Sequence, residues 1–249
     1  MKAIIFNSGL GKRMEELTKN CHKAMVSLDN GETIFERQLR ILKENGINDI
    51  IITTGPFEEQ LIEVTKQEEF NGLNFIFVQN SKYDQTNYIY SMYLAHEYLD
   101  DDMIFLHGDL VFNSELLKEV LENPEKSLCL INEFKKLPEK DFKGRVVNGI
   151  LKEVSINIFD SDCYAFQPLY KLSKNDVLKW VKQVEKFIIE GNDKVYAENA
   201  LNEILNDMTI KAVSYSKHYI DEVDTKEDLT RVSREITEFE KVNITSIKL

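Results

Sequence analysis

Residues 2–14 read KAIIFNSGLGKRM and join an apolar run to a glycine-containing turn. The run Lys2–Phe6 predicts a buried strand, and Gly9 and Gly11 follow at its carboxyl end. Glycines in such a turn let the backbone offer N–H groups to phosphate oxygens, and the Lys-Arg pair directly after them adds positive charge. An ordinary strand-to-helix turn is the alternative, because the pattern is neither GxGxxG nor GxxxxGK[ST].

Outward from this stretch, short apolar runs alternate with amphipathic segments up to about residue 132. We predict strands at Asp49–Thr53, Asn74–Val78, Asp102–Leu106 and Ser127–Ile131, and helices over 32–44, 57–66, 87–99 and 114–121. Strands that alternate with helices indicate an α/β fold, here a Rossmann-like, mixed but mostly parallel sheet with helices on both faces.

The pattern changes after residue 132. We predict a hairpin around Asn148-Gly149, then a strand at 162–166, helices over 173–190 and 196–206, strands at 210–214 and 219–223, and a last helix over 225–240. This part is expected to be an inserted, partly antiparallel region that faces the substrate. We find no linker, so we predict a single domain over 1–249, with a first part of about 1–132 and a second, C-terminal part of about 133–249.

Composition excludes several functional classes. The chain has 249 residues, with 31 Lys and Arg against 43 Asp and Glu, and a formal net charge of −12. Such a charge argues against general nucleic-acid binding. The three cysteines lie far apart with no CxxC pair, and no run reaches the roughly 18 apolar residues that a membrane span needs. We therefore expect a cytoplasmic protein with no membrane insertion and no nucleic-acid partner.

Seven short blocks follow the glycine turn in a fixed order. They are Leu17-Thr18, His22–Val26, Tyr83–Leu94, Gly108-Asp109, Asp141–Lys143, Tyr196–Leu201 and Glu222–Thr225. Together they resemble the nucleotidyltransferases, and among these the branch of phosphocholine and phosphonate cytidylyltransferases. The resemblance extends to about residue 230. His22 stands where the family usually has proline, and Ala197 where the choline enzymes tend to carry a second aromatic residue.

The resemblance implies a nucleotidyltransferase fold, similar to that of glycosyltransferase-A enzymes, and a Mg²⁺-dependent transfer of CMP from CTP. The acceptor would be a small phosphorylated or phosphonylated molecule of the phosphocholine, aminoalkyl phosphonate or phosphoglutamine type, and pyrophosphate would be released. CTP and this acceptor are the expected partners, and a homodimer stays open. Two alternatives remain, a sugar-1-phosphate nucleotidyltransferase and a non-catalytic nucleotide-binding regulatory protein.

The resemblance also implies that the part of about 1–132 binds the nucleotide and that the part of about 133–249 binds the acceptor. It implies roles for individual residues as well. The catalytic residues would be Arg13 and Lys23. The nucleotide would be bound by Ser8, Gly9, Leu10, Gly11, Lys12, Arg13, Lys23 and Asn87. Magnesium would be held by Asp109 and Asp224, because hard oxygen ligands suit this ion. The acceptor would be bound by Lys143, Tyr196, Glu198 and Glu222.

Structural alternatives to these roles stay open. Asp109 and Asp224 each precede a predicted helix, so either can serve as a helix N-cap. Lys12 can be a solvated lysine, and Lys143 an exposed lysine on a strand. An aromatic cage for a quaternary ammonium group can draw on Tyr83, Tyr90, Tyr164, Phe166 and Tyr196. Most of the tyrosines in 88–98 (Tyr88, Tyr90, Tyr93 and Tyr98) are expected to pack in the core. His107 can line the site, with a packed histidine at the end of a strand as the default.

Overall fold

The computed structural model describes residues 1–247, with side chains described as far as Val242. The α-helices are α1 (Ile34–Glu44), α2 (Glu58–Thr65), α3 (Tyr88–Leu94), α4 (Ser114–Glu122), α5 (Lys174–Ile189), α6 (Ala197–Ile204) and α7 (Lys226–Ile247). The first six strands are β1 (Lys2–Asn7), β2 (Asp49–Thr54), β3 (Asn74–Gln79), β4 (Met103–His107), β5 (Leu110–Phe112) and β6 (Leu128–Asn132). The remaining strands are β7 (Lys143–Val147), β8 (Ile150–Ser155), β9 (Cys163–Leu172), β10 (Lys211–Ser214) and β11 (Ile220–Glu222).

A mixed sheet of nine strands, in the order β3-β2-β1-β4-β9-β6-β10-β8-β7, forms the centre of the fold. Strands β1, β2, β3 and β4 pair in parallel, whereas β9 runs antiparallel to its neighbours β4 and β6. The hairpin β7–β8 turns at Asn148 and Gly149, which both have positive φ, as a tight hairpin turn requires. The predicted Rossmann-like, mostly parallel α/β sheet with a partly antiparallel addition is confirmed.

Two apolar cores cover opposite faces of the sheet, because successive side chains of a strand point to opposite faces. In β1, Ile4 packs into the core that contains Trp180 of α5, whereas Ala3 and Ile5 pack into the core that contains Phe35 of α1. Helices α3, α5 and α6 contribute to the first core, and α1, α2 and α4 to the second. This arrangement explains why the central strands contain unbroken apolar runs.

Two strands differ from the predictions. The strand predicted at 162–166 extends to Leu172 and lies between β4 and β6. Strand β5 was not predicted, and it pairs antiparallel with β11 in a separate two-stranded sheet. A small third core, which includes Val111, Val223 and Val232, packs α7 against this pair. None of the helices described combines the length and the apolar character that crossing a membrane requires.

Candidate active site

A cavity of about 340 Å³ opens at the carboxyl ends of β1 and β4. This is the edge at which open α/β sheets place ligand-binding groups. The predicted site residues on its lining are Gly9, Gly11, Lys12, Arg13, Lys23, Asn87, Asp109, Tyr196, Glu222 and Asp224. Further lining residues include Asn7, His22, Tyr88, His107, Asp141 and Phe142. The cavity therefore joins the glycine turn to residues from the second half of the chain.

The glycine turn is held open towards the cavity by close packing beneath it. Gly11 has φ +60°, and a Cβ atom there would lie 2.9 Å from Cβ of Lys23. The Thr18 hydroxyl donates a hydrogen bond to the Gly11 carbonyl oxygen. A larger residue at position 11 would therefore displace Lys23, which explains the glycine at this point of the turn.

Two predicted nucleotide ligands in this turn, Ser8 and Leu10, are not among the described residues that line the cavity. The Ser8 hydroxyl is buried and lies 2.6 Å from the Ser91 hydroxyl of α3. Asn87 does line the cavity, and its side chain also caps α3 by accepting a hydrogen bond from the Tyr88 N–H. The Ser8–Ser91 contact therefore attaches the turn to α3.

Lys23 forms the electrostatic centre of the site. Its Nζ atom lies 2.8 Å from Asp109 Oδ2 and 2.5 Å from Asp224 Oδ1, and all three side chains are mostly buried. Burial would lower the pKa of Lys23, but the charges of Asp109 and Asp224 outweigh it and raise that pKa. In the same way, burial would raise the pKa of Asp109, but the Lys23 ammonium lowers it. Lys23 and Asp109 are therefore both charged at neutral pH.

Pairing of β5 with β11 brings the two aspartates together. Asp109 precedes β5 and Asp224 follows β11, and the Val223 N–H donates to the Asp109 carbonyl oxygen at 3.0 Å. Arg13 joins the cluster through its guanidinium, 2.8 Å from Asp224 Oδ2. The arrangement places two cations and two carboxylates at one end of the cavity.

The helix-cap alternatives for the two aspartates are wrong. The N-cap of α7 is made by Thr225, whose hydroxyl accepts from the Asp228 N–H while the Asp228 carboxylate accepts from the Thr225 N–H. Helix α4 begins at Ser114, five residues after Asp109, so Asp109 is too far away to cap it. Both carboxylates remain available to the cavity.

A cluster of carboxylates beside Lys23 has the chemistry of a site for a divalent cation. Oxygen atoms of Asp141, Glu222 and Asp224 lie within 4.8 Å of one another. Within the part of the chain whose side chains are described, Oδ1 of Asp109 and Oε1 of Glu222 are buried without a hydrogen-bond partner. Burial, followed by the charges of Asp109, Asp141 and Asp224, raises the pKa of Glu222 well above its ordinary range. Several carboxylates close together, two of them with a buried oxygen that lacks a hydrogen-bond partner among the described residues, are suited to bind a hard cation.

Aromatic side chains line the rest of the cavity. Tyr88 packs 4.8 Å from the ring of His107 and 5.1 Å from that of Phe6, and Phe142 packs 5.0 Å from Tyr196. Tyr88, expected to be a core residue, therefore faces the cavity, and so does His107, for which a place in the site had stayed open. Of the five aromatic residues proposed for a cage, Tyr196 lines the cavity, whereas the other four are not among its described lining residues.

Two predicted acceptor ligands, Glu198 and Lys143, form hydrogen bonds to other groups of the protein. Glu198 is 1% exposed and accepts hydrogen bonds from the hydroxyls of Tyr88 and Tyr170. Burial, and then the charge of Glu198, raises the pKa of Tyr88 well above its ordinary value, so this phenol keeps its proton. Glu198 therefore orients Tyr88, which lines the cavity.

The expectation of an exposed Lys143 is wrong, because this side chain is fully buried. Its Nζ donates to the carbonyl oxygens of Pro138 and Ile156 at 2.8 and 2.6 Å and lies over the Phe159 ring. Lys143 is not part of the cavity lining formed by the described residues. Its neighbour Asp141, which the acceptor prediction omitted, does line the cavity; only its place in the Asp141–Lys143 block pointed to it.

Comparison with known proteins identifies the family. The profile of the MobA-like NTP transferase domain matches residues 3–138, which is more than half of the chain. The choline-phosphate cytidylyltransferase of Streptococcus pneumoniae is 30% identical over 234 residues, covering 82% of this chain and 98% of that protein. The chain belongs to the NTP transferase family.

Other members of the NTP transferase family match over similar lengths. The choline-phosphate cytidylyltransferase of Haemophilus influenzae is 26% identical, covering 95% of this chain and 98% of its own. The CTP:phosphoglutamine cytidylyltransferase of Campylobacter jejuni is 24% identical, covering 92% of this chain and 98% of its own. The predicted resemblance to cytidylyltransferases is confirmed.

Solved structures share the nucleotidyltransferase fold. The CTP:phosphocholine cytidylyltransferase from Streptococcus pneumoniae has a TM-score of 0.76 at 24% identity, covering 94% of this chain and 98% of that one. The inositol-1-phosphate CTP transferase from T. maritima has a TM-score of 0.78 at 21% identity, covering 96% of both chains.

Proposed function

We propose that this chain is a cytidylyltransferase that moves CMP from CTP to a small phosphorylated or phosphonylated acceptor and releases pyrophosphate. The observation that carries the proposal is the position of Lys23, whose ammonium lies between the carboxylates of Asp109 and Asp224 beside the glycine turn. A cation held there, beside the glycine turn, suits a triphosphate. The names of the relatives support this activity rather than the sugar-1-phosphate or regulatory alternatives.

In the proposed reaction, an acceptor oxygen attacks the α-phosphorus of CTP. The new P–O bond forms as the bond from the α-phosphorus to the bridging oxygen breaks, and pyrophosphate leaves with the electron pair. Loop N–H groups around Gly9 and Gly11, together with Arg13, hold the β- and γ-phosphates, while Lys23 faces the α-phosphate. Because two anions must meet, positioning and charge compensation provide most of the catalysis, and no protein nucleophile is needed.

We propose Mg²⁺ as the metal. Asp109 and Asp224 would hold it, with Asp141 and Glu222 as further oxygen ligands, since buried oxygens of Asp109 and Glu222 lack partners among the described residues. When bound, such an ion withdraws charge from phosphate oxygens. Lys23 and Arg13 contribute the remaining positive charge. Together these groups compensate for the charge that accumulates on the leaving pyrophosphate.

The acceptor is proposed to carry an amino or ammonium group. Aromatic faces and carboxylates are the groups that recognise such cations, and Tyr88, Phe142 and Tyr196 lie in the same cavity as Asp141 and Glu222. These residues come mostly from the part after residue 132, which we propose to be the acceptor-binding part, with 1–132 binding the nucleotide. Phosphocholine, aminoalkyl phosphonates and phosphoglutamine all fit this description.

A substrate panel tests the function. Pyrophosphate release is measured with CTP, UTP, ATP and GTP, each combined with phosphocholine, 2-aminoethylphosphonate, phosphoglutamine and glucose 1-phosphate, with and without Mg²⁺. We expect turnover with CTP and an amino-bearing acceptor. Equal or faster turnover of UTP with glucose 1-phosphate would show a sugar nucleotidyltransferase instead. Tight binding of CTP in calorimetry without turnover of any pair would show a regulatory nucleotide-binding protein.

A further inference from the structure

His22 is a buried histidine, 3% exposed, that directly precedes Lys23. Its Nδ1 atom accepts a hydrogen bond from the Ala24 N–H at 3.1 Å and so caps the short 3₁₀ turn that carries Lys23. Its Nε2 atom lies 2.6 Å from the carbonyl oxygen of Asn7. Because Nδ1 accepts from an N–H group, the ring proton lies on Nε2 and is donated to Asn7.

These two bonds connect the two parts of the chain that face the phosphates. Asn7 is the last residue of β1 and leads directly into the glycine turn, whereas Ala24 follows Lys23. The backbone N–H of His22 also donates to Gln60 Oε1 of α2 at 2.8 Å, which fixes the histidine to the body of the fold. The imidazole therefore sets the distance between the glycine turn and the lysine turn.

We infer that His22 is a positioning residue that holds Lys23 in register with the glycine turn through the Nε2–Asn7 hydrogen bond. This inference rests on the proposed role of Lys23 in CTP turnover. A protonated ring would lose the acceptor at Nδ1 and would place a second positive charge beside Lys23. Burial, with a smaller contribution from Lys23, lowers the pKa of His22 to about 4 against the opposing effect of the Asn7 bond. The ring is therefore neutral in the pH range in which activity would be measured.

Two substitutions of His22 test its hydrogen bonds to Asn7 and Ala24 separately. The amide nitrogen of His22→Gln reaches about as far as imidazole Nε2, so this variant keeps a donor to Asn7 and loses the cap at Ala24. The amide oxygen of His22→Asn lies near the position of Nδ1, so this variant keeps the cap and loses the donor. Both remove the ring from the same buried place.

We expect His22→Asn to lower kcat by roughly 10- to 100-fold, because a displacement of a catalytic group by about 1 Å can reduce the rate by that factor. His22→Gln keeps the donor to Asn7, so its kcat should stay within about fivefold of that of the original chain. The KM for CTP should change less than about threefold in both, since Lys23 compensates charge that grows in the transition state. Matched controls are His96→Asn and His96→Gln, because His96 is not a described cavity residue and bonds to the Tyr93 carbonyl oxygen. Neither control should change kcat.

Three outcomes would overturn the inference. These are equal kcat values for the Asn and Gln variants, an unchanged kcat in His22→Asn, and a loss that lies in the KM for CTP alone. If both variants fail to fold, ¹⁵N NMR of the imidazole of His22 in the unaltered chain tests the inference. We expect the ring to be the neutral Nε2–H tautomer at pH 6–8. A charged ring or an Nδ1–H tautomer would refute it. Absence of turnover in the unaltered chain would instead refute the proposed function, and the NMR result would still test the His22 geometry.

Discussion

Replacing Lys23 by methionine removes one ammonium while keeping an unbranched side chain of similar length. In the structure this ammonium lies 2.8 Å from Asp109 and 2.5 Å from Asp224, and the three side chains are only 13%, 20% and 13% exposed. Removing one partner of a buried ion pair costs about 3–5 kcal/mol. Asp224 keeps its ion pair with Arg13 at 2.8 Å, and both carboxylates face a cavity. We therefore expect Lys23→Met to lower the free energy of unfolding by about 2–3 kcal/mol, at or below the lower end of that range.

The loss should depend on pH in a direction set by Asp109. In the original chain, Lys23 lowers the pKa of Asp109, so this pair contributes stability above the ordinary pKa of an aspartate and loses it as the pH falls. In Lys23→Met, burial and the neighbouring carboxylates would instead raise the pKa of Asp109, so its burial as an anion would destabilise the variant at neutral pH. The difference in the free energy of unfolding should therefore shrink between pH 7 and pH 4.5.

Urea unfolding at these two pH values, with a chelator present, measures the effect. Lys12→Met is the matched control, because Lys12 is exposed in the same motif, and its free energy of unfolding should change by less than about 0.5 kcal/mol. Added Mg²⁺ should stabilise Lys23→Met more than the original chain, since the ammonium no longer competes for the two carboxylates. A loss below about 0.5 kcal/mol, or an equal loss at both pH values, would refute the reasoning.

Further substitutions test individual roles. Asp109→Ala and Asp224→Ala should each lower turnover by several orders of magnitude with the fold intact in circular dichroism, and near-normal rates at saturating Mg²⁺ would exclude that residue from the metal site. Arg13→Ala should raise the KM for CTP more than the KM for the acceptor in steady-state kinetics; the reverse would assign Arg13 to the acceptor. Lys143→Met should cost about 1–3 kcal/mol in urea unfolding, because two carbonyl oxygens lose their donor, with unchanged turnover per folded molecule. A raised KM for the acceptor in this last variant would restore the acceptor role predicted from the sequence.

Local patterns were sufficient for most of the regular elements. The apolar runs at β1, β2 and β4 and the Asn148-Gly149 turn of the hairpin act over a few residues, and the structure contains them near the predicted bounds. Strand β5 was missed because it is three residues long and follows β4 after only Gly108 and Asp109. The length of β9 was underestimated because its second half contains Pro168 and Lys171 and is buried on both faces between β4 and β6, so its sequence shows no apolar–polar alternation.

Side-chain roles were harder to predict than elements. Lys143 and Glu198 have residue types that suit an acceptor site, but their carbonyl and phenol partners come from segments that no local pattern connects to them. Exposure of a lysine or a glutamate depends on what packs over it. That packing is a property of the folded chain.

The amino-acid order alone was enough for the glycine turn after β1 and the parallel α/β layers, because periodicity and turn chemistry are short-range effects. The resemblance to cytidylyltransferases rested on the order of the short sequence blocks. Only the folded chain decides that Lys23 meets Asp224, 201 positions away, and that β11 pairs with β5 to bring Asp109 into the same cluster. The neutral state of His22 also depends on its burial in the folded chain, and the position of its ring proton depends on partners from two separate turns. Charges and hydrogen bonds act over a few ångströms in space, whatever the separation along the chain, so the site exists only once these segments pack together.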